Sequence, residues 1–123
     1  LLPVYRLIVE ADMELIQIDR QTERIARLCH ALANPLRVAI VRYIASYPRC
    51  ICNDIVVRTD RAQSTISQHL RVLIQAGLIE TEQEGQTSVY WLAEEALKIL
   101  NHGLEALSRP KPKPPTRRPV FRA

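Results

Sequence analysis

At Gly77 the spacing of apolar residues in this chain changes from helical to extended, and that change limits the folds open to it. Before the glycine, in "QSTISQHLRVLIQA", Ile66, Leu70 and Leu73 recur at steps of three and four, which puts them on one helix face. After it, in "LIETEQEGQTSVYWL", Ile79, Thr81 and Gln83 alternate with Glu80 and Glu82. Beyond a turn at Glu84-Gly85, Thr87, Val89 and Trp91 alternate with Ser88 and Tyr90. The pattern predicts an amphipathic helix started by a capping box of Asp60 and Gln63, stopped by Gly77, and followed at once by a two-stranded hairpin.

The flanking segments are helical. Leu15, Ile18, Thr22, Ile25, Cys29 and Leu32 form one apolar stripe that ends at Asn34-Pro35. Asn34 is placed to cap the next helix with Pro35 at its first position, and Leu36, Ile40, Val41 and Ile44 carry that helix to a stop at Pro48. Arg49 to Arg58 reads as a short helix with Ile51, Ile55 and Val56 turned inward. After the hairpin, residues 93 to 108 return to helix, with Leu97, Leu100, Leu104 and Leu107 on one stripe despite Gly103.

Short helix, turn, second helix and hairpin, in that order, describe a mainly α fold with a β-hairpin wing, the winged helix-turn-helix. On the second helix Ser64, Ser67, Gln68 and Arg71 lie opposite the apolar face. Serines permit close approach to a major groove, Gln68 can bond a base edge at two points, and Arg71 can reach guanine or phosphate. A winged-helix protein-interaction module would present the same architecture, and sequence-specific binding to its own promoter DNA separates the two.

Charge divides the chain at residue 109. Six of the seventeen basic residues and five of the eight prolines fall in "RPKPKPPTRRPVFRA", residues 109 to 123, which contains no acid. The body, residues 1 to 108, keeps eleven bases against all thirteen acids. The body is therefore read as one DNA-binding and dimerisation domain, and the tail as an extended appendage that is a solvated end, a source of non-specific phosphate contacts or a protein-docking arm. Three cysteines make no disulfide framework, so free thiols in a reducing, cytoplasmic setting are expected. No apolar run reaches the length of a membrane span. With three glycines, no phosphate-cradling loop and no nucleophile beside a base, the sequence offers nothing for an enzyme.

"ALANPLRVAIVRYI", "CICNDIV", "AQSTISQHLRVLIQAGLIE" and "EGQTSVYWL", taken in order over residues 22 to 108, resemble the arsenic-repressor (ArsR/SmtB-type) family of bacterial transcription regulators. The resemblance implies a homodimer built through the first and last helices, bound to an inverted-repeat DNA operator and released by an inducer. It also implies base and phosphate contacts by Gln63, Ser64, Ser67 and Gln68. Two positions depart from the family pattern: Gln86 stands at the wing tip where a basic residue is common, and Ala62 replaces a capping serine. The wing glutamates should also repel phosphate.

The cysteines are the remaining signal. Cys50 and Cys52, one residue apart at a helix start, offer two soft thiolate ligands where the backbone is not yet locked, and the helix N-terminus and Arg49 are expected to favour thiolate. In members of the family similar to this chain, a pair at this place binds arsenite or antimonite, or with further ligands cadmium, lead or zinc. A trivalent centre takes three thiolates in that chemistry, which makes Cys29 the third candidate; the other reading of Cys29 is a small hydrophobe on the buried seam. The pair itself reads as a metal or metalloid site, as core filler, or as a redox or persulfide switch. The last helix lacks the acid and histidine pairs that similar zinc sensors carry.

Overall fold

The computed structural model describes residues 15 to 109, so the tail beyond Arg109 lies outside it. The order of elements is α1 (Arg20–Ala31), α2 (Pro35–Ser46), β1 (Cys50–Ile51), α3 (Cys52–Val56), α4 (Gln63–Gln75), β2 (Ile79–Glu84), β3 (Thr87–Leu92) and α5 (Glu94–Ser108).

Local chemistry sets the helix starts. The Asp19 carboxylate accepts from the Thr22 N–H at 2.8 Å and the Thr22 hydroxyl at 2.9 Å, and those bonds hold its pKa below the ordinary carboxylate value. Leu15 and Ile18, expected on the helix stripe, precede this cap and are exposed. Asn34 caps α2 as expected, accepting from the Leu36 and Arg37 N–H groups at 2.9 and 3.2 Å behind Pro35. The capping box expected at Asp60 and Gln63 does not form. Ala62 stands at the N-cap of α4 without a side-chain bond, and Asp60 pairs instead with Arg61 at 3.2 Å.

The single helix expected from Arg49 to Arg58 is divided. Arg49 takes the left-handed conformation, φ 68°, and turns the chain after Pro48 so that Cys50 and Ile51 run as a strand. The Asp54 carboxylate accepts from the Ile51 N–H at 3.0 Å and fixes the start of α3 at Cys52. The hairpin consequently gains a third strand. The sheet order is β1-β3-β2, all antiparallel, with Cys50 opposite Tyr90, Ile51 opposite Val89, and Ile79 to Glu84 opposite Leu92 to Thr87. The wing turns at Gly85-Gln86, where Gly85 supplies φ 62°.

Leu28, Ile40, Ile44, Ile66, Leu70, Leu73, Leu78 and Ile79 fill the core, joining α1, α2, α4 and the base of the wing. Each such side chain contributes roughly 1.5 to 3 kcal/mol of burial. α5 packs back on α1 at Gly103, where an added Cβ would lie 2.8 Å from Ile25 Cγ1 and closer still to its tip. That close approach accounts for a glycine in mid-helix, which otherwise costs about 1 kcal/mol. Arg37 joins three elements: its Nε–H donates to the Ala31 carbonyl at 2.6 Å, one terminal nitrogen to the His30 carbonyl at 3.4 Å, and the other lies 3.4 Å from His69 Nδ1 on α4. Among the described residues no helix is long and apolar enough to cross a membrane.

Candidate DNA-reading face and thiol site

The packing of α4 decides which of its residues face outward. Ile66, Leu70 and Leu73 are buried, which leaves Gln63, Ser64, Gln68 and Arg71 exposed together, with no acid anywhere on the helix. Ser67 differs from the others. It is half-buried at the edge of the face, and its Oγ lies 3.8 Å from Cys52 Sγ. Arg61, exposed just before α4, adds a base that the helix pattern does not include; its signal in the sequence is a basic side chain beside a helix start.

The wing carries the opposite charge. Glu80, Glu82 and Glu84 are exposed on β2. Arg49 lies 2.6 Å from Glu84 and 3.8 Å from Glu82, and its guanidinium sits 5.6 Å from the Trp91 ring centroid. The Trp91 indole N–H donates to Glu80 at 2.7 Å.

The two cysteines stand at the joint between these regions. Cys50 lies on β1, 6% exposed and paired with the wing; Cys52 opens α3 and reaches α4. All three cysteines are free thiols, and Cys29 is exposed on α1. Among the described residues no three His, Cys, Asp or Glu side chains converge on a common point. The thiolate character expected from Arg49 and the helix start is not found at Cys50. Burial first, then the Asp54 charge, with a further contribution from Cys52, hold its thiol above the ordinary value. The reason is geometric: Arg49 is turned away to the wing glutamates, and Asp54 occupies the helix start. Burial raises the neighbouring Tyr90 phenol too, followed by charge on Cys52 and Cys50.

A helix with a small, polar and basic outer face, preceded by a short helix and followed by a wing, defines a winged helix-turn-helix DNA-binding protein. The chain belongs to the ArsR family of transcription regulators: residues 34–81 match the model described as bacterial regulatory protein, arsR family. It is 30% identical over 77 residues to an uncharacterized HTH-type transcriptional regulator of Methanocaldococcus jannaschii, covering 62% of this chain and 85% of the relative. It is 37% identical over 70 residues to the HTH-type transcriptional repressor SmtB of Mycobacterium tuberculosis, covering 57% of this chain but only 51% of that protein. The arsenical resistance operon repressor of Staphylococcus xylosus is 24% identical over 86 residues, 70% of this chain and 82% of the relative. Among solved structures, HlyU from Vibrio cholerae superposes with a TM-score of 0.59 at 30% identity, covering 71% of this chain and 97% of HlyU. A homodimeric winged helix-turn-helix DNA-binding domain from Mycobacterium bovis gives 0.58 at 26% identity, covering 80% and 94%.

Proposed function

We propose that the protein is a homodimeric repressor that holds an inverted-repeat operator through the outer face of α4 and releases it when Cys50 and Cys52 take up trivalent arsenic or antimony. The observation that carries this reading is the position of the thiol pair. One sulfur is on the strand paired to the wing and the other lies against the recognition helix, so a ligand that draws the sulfurs together acts on the wing and the recognition helix at once. A dimer is supported by Leu15, Ile18, Leu104 and Leu107, which remain exposed around α1 and the end of α5 in the single chain, and by the homodimeric neighbour. The basic proline-rich tail adds phosphate contacts to this binding.

Proton accounting favours this choice of inducer. A divalent ion such as cadmium, lead or zinc must displace a proton from each thiol, so its affinity falls as the thiol pKa rises. Arsenous acid, uncharged at neutral pH, condenses with two thiols by releasing each thiol proton in a water molecule, with no net proton loss. The raised Cys50 thiol therefore penalises divalent ions more than arsenite or antimonite. It also counts against an oxidant or persulfide switch at Cys50, since the thiolate is the reactive form. The Staphylococcus xylosus relative, an arsenical resistance operon repressor, accords with this choice.

The test is operator binding by fluorescence anisotropy with and without arsenite. The parent should lose about a hundredfold in operator affinity, roughly 2.8 kcal/mol. Cys50→Ser and Cys52→Ser should bind the operator and fail to release it; release from both like the parent overturns the reading. Cys29→Ser should release unless Cys29 is a third ligand.

A further inference from the structure

Two sulfurs leave a trivalent centre one bond short, and the surroundings of the pair contain hydroxyls rather than another thiol. Among the described residues, no third cysteine, histidine or acid groups with Cys50 and Cys52 to hold an ion, and the nearby Asp54 carboxylate is taken up by the Ile51 N–H at 3.0 Å. Tyr90 is directly opposite Cys50 in the β1–β3 pairing. Directly opposed residues share a face of the sheet with Cβ atoms about 4.5 to 5.5 Å apart. Tyr90 and Cys52 are both half-buried against the core cluster that contains Cys50. From the other side, Ser67 brings its hydroxyl to 3.8 Å from Cys52 Sγ.

We propose that this is a site of two sulfurs and one oxygen, in which the metalloid keeps one hydroxyl and the Tyr90 phenol and Ser67 hydroxyl receive it by hydrogen bonds. The inference rests on Cys50 and Cys52 being the inducer ligands. The chemistry balances without an oxidant or reductant: arsenous acid and two thiols form two As–S bonds, two As–OH bonds break, and two water molecules leave carrying the thiol protons. The remaining As–OH can donate one hydrogen bond and accept others, matching two neutral hydroxyls. A divalent ion is served poorly, because tetrahedral coordination needs four ligands and this site supplies two thiolates and two weak oxygen donors. Tyr90 belongs to the wing and Ser67 to the recognition helix, so the retained hydroxyl joins the same two elements that the sulfurs reach.

The probe is sodium arsenite in thiol-free buffer with the full chain. Arsenic-edge X-ray absorption on the parent should give two sulfurs and one oxygen per arsenic; three sulfurs would overturn the proposal and assign the third place to Cys29. Tyr90→Phe preserves the packed ring and removes only the hydroxyl. It should bind arsenite about tenfold more weakly by ultraviolet titration in the absence of DNA, while its arsenite-free operator affinity stays at the parent value. Parent-like arsenite affinity in Tyr90→Phe would also overturn the proposal. Undiminished arsenite uptake by both Cys50→Ser and Cys52→Ser would instead remove the thiol site on which it rests.

Discussion

The recognition helix and the wing flank the same cysteines but differ in charge and in attachment. α4 shows solvent Gln63, Ser64, Gln68 and Arg71 and no acid, whereas β2 shows Glu80, Glu82 and Glu84. The wing acids turn toward their own protein: Arg49 holds two of them and Trp91 the third. Side chains of the kind suited to reading bases thus lie exposed on one element only, while the other is fastened to the strand that carries Cys50. The difference teaches that a wing can serve as an attachment to the thiol site even where its charge is unsuited to phosphate.

Two substitutions on α4 test the helix side of that contrast and carry the largest expected effects in it. Gln68→Ala should cost roughly 1 to 3 kcal/mol of preference at one operator base pair. Arg71→Ala should weaken binding to all sequences and make the salt dependence shallower by about one unit of slope. Competition titrations against operator variants at several salt concentrations separate them, and equal losses on operator and random DNA for both would break the assignment of α4 as the reader.

A smaller effect tests the attachment of the wing. At position 49, Arg49→Ala removes the bonds to the glutamates but keeps a side chain at positive φ, whereas Arg49→Gly removes the bonds and relieves the conformation. Urea unfolding should find the glycine variant about 1 kcal/mol more stable than the alanine variant. The arginine should exceed the glycine variant only if its exposed ion pairs, typically worth 0 to about 1 kcal/mol, and its place over Trp91 together outweigh the conformational cost. Equal stability of the two variants would remove the strain from the account.

The smallest effect concerns pH. The folded state holds the Cys50 thiol above its ordinary value, so its stabilising contribution is complete below the unfolded value of about 8.5 and is lost as pH rises through the folded value. Urea midpoints between pH 7 and pH 10 should therefore fall more steeply for the parent than for Cys50→Ser. Parallel curves would show that β1 does not bury the thiol as described.

What could be read from the residues was local. Asn34-Pro35, the stop at Gly77 and the alternation after it depend on neighbours in the chain, and the fold follows them. β1 escaped notice because a two-residue strand has no period, and only its pairing with Tyr90 makes it a strand. The capping box at Asp60 failed because a matching pair of residue types does not compel the geometry, and the helix began two residues later than that cap required. The thiol pair was legible as a spacing; its companions were not, since Ser67 and Tyr90 reach it from other elements. Position in the chain puts Arg49 beside the thiols, yet its backbone conformation carries it to the wing.

Arg37 gives the molecule a stiffness that its small size would not suggest. Because its fork bonds the carbonyls that end α1 and reaches His69 on α4, turning one helix against the other must break directed bonds rather than slide apolar surfaces. In a dimer of the kind proposed, these bonds would set the reach of each reading helix inside its own subunit before DNA is met. Lysine at this position would keep the charge and lose the fork, leaving a hinge where the protein has a brace.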